Sequence, residues 1–326
     1  MLNFSEVLPE EEQYNEFMTE TVEPYLSARR TDGYVYTRNG IALHYEYTVK
    51  EDAIGAVVIS HGFTESGEKF REMAYWMMQM GYSVYAIDHR GHGLSHRDVE
   101  DTWLTDVEHF SDYVNDLHCF MRKIVLPTTQ GLPHYLYGHS MGGAIAILYA
   151  QAHPQVFDKI ILTSPMVKPQ TDGIPSIITQ LLSDAFRMGG KGAQLVFARK
   201  SGFNENEYFE DSPDTSRARF EYYRQKRLSC PHLQNTAPTY RWLNESLRMT
   251  RRMLDRERCA RISCPVLLFS AGNDLLVFRR EQEIFISRVG NGRIVYEERA
   301  KHEIYMSEKH VMQDYLREIE EFLLPS

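Results

Sequence analysis

Ser140 stands in Gly138-His139-Ser140-Met141-Gly142, between an apolar run, His134 to Tyr137, and an Ala-rich run, Met141 to Ala152. A strand followed at once by a helix forces the residue at the bend into strained backbone. It lifts that residue's hydroxyl to the open N-terminal end of the helix, and glycines two positions to either side let neighbouring backbone approach without a Cβ clash. The chemistry such a hydroxyl could do is nucleophilic attack on a carbonyl. The bland alternative is a plain tight turn.

A serine hydroxyl is a poor nucleophile at neutral pH, so it needs a base, and the base needs a partner that fixes its tautomer and stabilises the imidazolium. Where the serine sits at a strand-to-helix bend, the acid and then the histidine follow it along the chain. Asp274 follows the apolar run Val266 to Ser270, and His302 follows Ile294 to Tyr296. Both are expected on loops leaving the sheet edge that carries Ser140. Asp158 and Asp255 precede strands and belong at the opposite end; His153 and His310 lie in or beside helices.

A tetrahedral intermediate also needs hydrogen-bond donors aimed at its oxyanion. The backbone N–H of Met141, at the helix start, is one candidate. The N–H of Phe63, in the loop His61-Gly62-Phe63-Thr64-Glu65 after the first core strand, is the other, although that loop could be a mere connection. Asp88, His89 and His92 in Asp88-His-Arg-Gly-His-Gly-Leu-Ser95 invite a zinc reading. We set it aside, because a closed site needs ligands at matching spacing elsewhere and the glycines suit a packed loop bracing the nucleophile turn. Neither metal nor cofactor is called for.

These residues need a parallel sheet with crossover helices. From Ile54 to Thr163, short β-branched or apolar runs alternate with helical patterns: strands at Ala56 to Ser60, Tyr82 to Ile87, His134 to Tyr137 and Lys159 to Leu162, and helices near Lys69 to Met80, Val107 to Ile124 and Met141 to Ala152. A hairpin with a two-residue turn at Asn39-Gly40 precedes them. From Pro165 the rhythm breaks into helical segments with no convincing buried strand, and it resumes at Pro265 with two strands and two helices, the last over Glu308 to Leu324. The expected organisation is therefore a core over 1–164, an inserted helical cap over 165–258 and the rest of the core over 259–326.

At 326 residues the chain can bury a substantial interior, and its composition is that of an ordinary globular protein, with 20 Tyr and 16 Phe. A formal charge of −9 argues against general nucleic-acid binding. The four cysteines form no C-x-x-C pair and are too few to frame the chain, so they read as reduced thiols in a cytoplasmic protein. The first thirty residues are acidic and mixed, unlike a secretory signal. No apolar run approaches the roughly 20 residues that span a bilayer, so any membrane contact is expected to be peripheral, at the inner face. Oligomeric state leaves no signal.

His61-Gly-Phe63, Asp88 to Ser95, Gly138 to Gly143, Asp274 and His302 together resemble the lysophospholipase and monoacylglycerol lipase branch of the α/β-hydrolases. Phe110 to Leu117, Ala237 to Ser246 and Lys301 to Ile304 are similar to the bacterial lysophospholipase L2 group in particular. The resemblance runs from about Ile54 to the C-terminus and is weakest within the insertion. It implies an α/β fold with a doubly wound, mostly parallel eight-stranded sheet, a helical cap over the site, and hydrolysis of lipid monoesters. By residue match, Ser140, Asp274 and His302 take the triad roles, and Phe63 and Met141 the oxyanion roles.

Substrate choice falls to the cap. Residues 165–258 hold sixteen Lys and Arg against eleven Asp and Glu, so a cap of +5 covers a body of −14. Such a lid suits a phosphate head group or an anionic membrane surface. Arg217, Arg219, Arg224, Lys226 and Arg227, interleaved with Phe220, Tyr222 and Tyr223, are the candidate contacts; an ordinary solvated helix face is the competing reading. A lysophospholipase is the first expectation, with a monoacylglycerol lipase or general carboxylesterase second. A non-catalytic ligand binder on the same fold is a remote third.

Overall fold

The computed structural model describes residues 1–171, 173–196 and 202–324. Its strands are β1 (Arg30–Tyr36), β2 (Ala42–Thr48), β3 (Ala56–Ser60), β4 (Ser83–Ile87), β5 (Leu104–Thr105), β6 (His134–His139), β7 (Lys159–Thr163), β8 (Ala237–Pro238), β9 (Val266–Ala271) and β10 (Gly292–Glu297). Eight of them form one sheet in the order β1-β2-β4-β3-β6-β7-β9-β10. From β4 to β10 all neighbours are parallel, while β2 runs antiparallel to both β1 and β4. Strands β3, β4 and β9 are buried along their whole length, which is why they read as unbroken apolar runs.

The helices of eight residues or more are α1 (Arg71–Gln79), α2 (Ser111–Phe120), α3 (Met141–Ala152), α4 (Ser176–Met188), α5 (Arg217–Ser229), α6 (Tyr240–Met253), α7 (Arg279–Ile286) and α8 (Lys309–Leu323). Two apolar layers flank the sheet. One joins it to α2, α3, α6 and α7, the other to α1 and α8. Helix α3 is buried in the first layer from Met141 to Gln151, as its largely apolar sequence requires.

Three local expectations are corrected. The first hairpin turns through three residues, not two: Gly40 N–H donates to Thr37 O and Thr37 N–H to Ile41 O, with Gly40 at φ +76°, so Asn39-Gly40 completes a type I turn with a left-handed glycine. Helix α2 starts at Ser111 rather than near Val107, because the Phe110 N–H is given to the Glu245 carboxylate at 3.1 Å. Residues 165–258 do contain a short strand, since β8 pairs with β5 over two residues.

Residues 11–27 are also helical, with a wider π winding over Phe17–Val22. Tyr14, Met18, Val22 and Leu26 are buried there against the α1 and α8 layer. No helix among the described residues is long and apolar enough to cross a membrane.

Candidate active site

Strand β6 ends at His139, and the next residue, Ser140, has φ +49° and ψ −115°, a region that L-residues avoid unless the surroundings enforce it. Those surroundings are visible. Ser140 N–H donates to Thr163 O at 3.1 Å, and Ser140 O accepts from Met166 N–H at 2.8 Å and Ala144 N–H at 3.1 Å. Gly142 lies so close to β3 that a Cβ there would sit 2.0 Å from Ser60 O. The glycine is what lets the loop after β3 lie against the start of α3.

The parallel strands release the other candidates at the same sheet edge. Asp274 follows β9 and His302 follows β10. His302 Nδ1–H donates to Asp274 Oδ2 at 2.7 Å, and Asp274 Oδ1 accepts from the Leu276 and Val277 amides at 2.8 and 3.1 Å. Burial alone would depress the pKa of His302, but the Asp274 carboxylate, with Glu303 and Glu65 adding to it, raises the value above the ordinary one. Burial likewise pushes Asp274 up, and His302 with the two amides brings it below the usual range. The His302 ring lies 4.9 Å from that of His139, the neighbour of Ser140. Among the described residues no side chain is hydrogen-bonded to the Ser140 hydroxyl; such links often tighten only with substrate bound.

Ser140, His302 and Phe63 line one cavity of about 540 Å³. The Phe63 and Met141 amides, placed at the loop after β3 and the start of α3, donate to no group among the described residues. Both are thus available to an incoming oxygen. The loop bearing Phe63 is braced from two sides. His61 Nε2 accepts the His89 N–H at 2.9 Å, and Glu65 takes the Gly62 N–H at 2.5 Å and the Tyr305 hydroxyl at 2.5 Å.

Asp88 accepts from Gly67 N–H, Leu94 N–H and His44 Nδ1, His89 Nε2 pairs with the Ser60 hydroxyl, and His92 Nδ1–H donates to Arg90 O. These residues brace the loops around the serine, as the glycine-rich reading expects. The rejected candidates also have other occupations. Asp158 accepts the His134 N–H, Asp255 caps a short helix through the Arg258 N–H, and His153 stacks on His118.

Sequence reasoning missed the polar wall beside His302. Lys69 Nζ lies 2.5 Å from Glu303 and 3.3 Å from Glu65, and Asp214 joins them at the cavity. Glu65, His139 and Glu303 are the one group among the described residues close enough to hold a metal ion. The Lys69 ammonium already supplies the positive charge there. Glu65 and Lys69, four residues apart, and the Glu beside His302 were the available signals.

The arginine expectations divide. Phe220, Tyr223, Arg224 and Arg227 form the face of α5 that lines the cavity. Arg224 Nη2–H donates to Glu205 O at 2.6 Å, and Arg227 Nη1 reaches both carboxylate oxygens of Glu207 at 2.7 Å. Arg219 is corrected: it is fully buried and clamps Glu72 with Nε–H at 2.9 Å and Nη2–H at 2.7 Å. Its charge serves packing between elements, since an unpaired buried guanidinium would be costly. Arg217 is corrected too, being a surface residue that pairs with Glu210 at 2.7 Å.

The sheet, the strained serine and the His–Asp pair at one edge define an α/β-hydrolase. Residues 51–309 match the family model described as serine aminopeptidase, S33, and the chain belongs to that family. It is 32% identical to lysophospholipase L2 of Escherichia coli K12 over 70% of this chain and 66% of that protein, so it spans slightly less than two thirds of that relative's length. To the probable lysophospholipase L2 of Haemophilus influenzae it is 25% identical over 96% of this chain and 98% of that one. To human monoglyceride lipase it is 37% identical over 34% and 35%. Among solved structures, a carboxyl esterase from Bacillus coagulans superposes with TM-score 0.74 at 18% identity, covering 90% and 98% of the two chains. A soluble variant of monoglyceride lipase from Saccharomyces cerevisiae superposes with TM-score 0.71 at 18% identity over 89% and 94%. These last two speak for the fold.

Proposed function

We propose that the protein is a lysophospholipase, releasing a fatty acid from a lysophospholipid through an acyl-Ser140 intermediate. The observation that carries the chemistry is the 2.7 Å bond from His302 to Asp274 at the cavity that Ser140 opens into. Ser140 Oγ attacks the ester carbon as His302 Nε2 takes its proton, and the Phe63 and Met141 N–H groups receive the oxyanion. Collapse expels the glycerophospho-alcohol oxygen, protonated by His302. Water, deprotonated by the same imidazole, then frees the acid.

The insertion over 165–258 acts as the cap. Its cavity face offers Phe220 and Tyr223, with Trp242 and Leu243 from α6, to an acyl chain. The relatives named lysophospholipase L2 support the phospholipid reading. One observation favours a monoacylglycerol or simple ester instead: among the described residues lining the cavity, Lys69, Arg224 and Arg227 all face carboxylates already. Arg199, Lys200 and Asp172, which enter the charge count of the cap, lie outside the described residues. Peripheral contact with an anionic membrane is part of the same proposal, through Ile177, Ile178 and Leu181, exposed on α4 within a segment of net positive charge.

Labelling of the protein by a fluorophosphonate, lost in Ser140→Ala, tests the chemistry. Turnover of lysophosphatidylcholine, monoacylglycerol and p-nitrophenyl esters of graded length tests the substrate. A preference for butyrate esters equal to that for lysophosphatidylcholine would remove the phospholipid reading.

A further inference from the structure

The two outer helices of the insertion are attached differently. Helix α4 rests on α6 through the stacked rings of Phe186 and Tyr240 and the pairs Arg187–Glu245 and Arg248–Asp184, so its support comes mainly from within 165–258, with one exposed contact beyond it, from Arg187 to Glu108 at 3.5 Å. Helix α5 is gripped from far outside it. While residues 220, 223, 224 and 227 face the cavity, the adjacent stripe of residues 219, 222 and 226 meets the N-terminal segment and the region of α1. Arg219 clamps Glu72 and lies over the Tyr14 ring at 4.5 Å, and Tyr14 donates to the same Glu72 at 2.9 Å. Tyr222 donates to Glu23 at 3.0 Å, and Lys226 pairs with Glu23 as well.

The start of α5 is held in the same manner. Ser216 is the N-cap, its hydroxyl accepting the Arg219 N–H at 3.2 Å, and Glu11, more than two hundred positions earlier, completes the cap by accepting the Ala218 N–H at 3.1 Å and the Ser216 hydroxyl at 2.7 Å. Ser216 N–H in turn donates to Met306 O, four residues after His302. One junction therefore ties the N-terminal segment, a wall of the cavity and the loop of the base. The match to the family begins at residue 51, so the segment that makes this junction lies outside the matched part.

We propose that residues 4–28 form a strap that sets where the α5 wall stands over the cavity, with Glu11 and Arg219 as positioning residues for the bound substrate rather than for the chemistry. The proposal rests on the reading of this cavity as the substrate site. Its consequence is a split between substrates: a small ester that needs only Ser140, His302 and the oxyanion donors is indifferent to the strap, and a larger one that needs the α5 wall is not.

The test uses the full chain carrying Glu11→Ala, a change at a half-buried position, with Tyr222→Phe as the milder second variant. KM for lysophosphatidylcholine is expected to rise about five-fold in Glu11→Ala, the scale of a lost helix cap, while kcat for p-nitrophenyl acetate stays at the wild-type value. Amide exchange is expected to quicken over 217–229 and not over 141–152, and Glu11→Gln, which keeps an acceptor for the Ala218 N–H, should restore most of the KM. An unchanged KM, or equal losses on both esters, would overturn the strap. Wild-type turnover serves as the separate control: if lysophosphatidylcholine is not a substrate, the lysophospholipid reading fails, and monoacylglycerol takes its place in the same comparison.

Discussion

The floor and the roof of the cavity are built on opposite principles. On the floor, Ser140, Asp274 and His302 sit within five residues of the ends of parallel strands, and their geometry is inherited from those strand ends. On the roof, position comes from ion pairs between distant segments, such as Arg219–Glu72, Arg241–Asp106 and Arg187–Glu245. The contrast teaches where tolerance lies. Bond-making chemistry is sensitive to small displacements, and the residues proposed for it are carried by the sheet; a wall that only contacts a substrate can hang on side chains.

The comparison breaks first at the floor. Ser140→Ala should lower kcat by about 10⁴–10⁶-fold while thermal unfolding stays near wild type. His302→Ala should cost a similar factor, and residual turnover near wild type in either would mean that the chemistry lies elsewhere. Asp274→Asn should cost about 10⁴-fold, because the imidazole is no longer held in the right tautomer. It also carries a pH signature. His302 must be neutral to act as base, so kcat/KM rises with pH through its pKa. Asp274 is the main group holding that pKa above the ordinary value against burial, with Glu303 and Glu65 assisting. Without the carboxylate, burial remains, and the rising limb should move to lower pH in a kcat/KM profile. A limb that stays in place would show that Asp274 does not govern the base.

The roof should answer in stability. Arg219→Met leaves the Glu72 carboxylate buried with its main partner gone, a loss of about 3–5 kcal/mol, read as a lower urea midpoint. Next comes the joint between β3 and α3: Gly142→Ala drives a Cβ to 2.0 Å from Ser60 O, and displacing that backbone should cost at least about 3 kcal/mol. It should also lower turnover on every ester alike, since the Phe63 and Met141 amides would move with it. Normal turnover in a destabilised Gly142→Ala would detach the oxyanion donors from this joint.

The same division decides what could be read from the residues alone. β3 and α3 run as expected to the residue, because a buried, mostly apolar strand and a helix that is apolar at almost every position have few other places to go. The bend at Ser140 was legible because its glycines make room for backbone that the sequence itself supplies nearby. The structure brings Ser140, His302 and Phe63 to one cavity and joins His302 to Asp274, as their loops at a common sheet edge suggested. What was not legible depends on meetings across the chain. Arg219 looked like its neighbours Arg217 and Arg224 until Glu72, 147 residues away, claimed it. Residues 11–27 carried a signal that acidic surroundings obscured: Tyr14, Met18, Val22 and Leu26 recur every four residues and are all buried. The start of α2 shifted for a comparable reason, since the carboxylate that takes the Phe110 amide belongs to α6.

The smallest expected effect lies at the outer surface of the roof. Leu181 is 64% exposed on α4, beside Ile177 and Ile178, and none of the three lines the cavity. If this face enters an anionic bilayer, Leu181→Asp both removes apolar area from the contact and adds a charge that the surface repels. Binding to vesicles containing phosphatidylglycerol should then weaken by roughly ten-fold, the scale of one leucine's transfer from water. Turnover of a short ester in solution should not change, because the substitution touches neither the floor nor the α5 wall. Equal vesicle binding by wild type and Leu181→Asp would leave the apolar face without this role, and it would confine the contrast between floor and roof to the inside of the cavity.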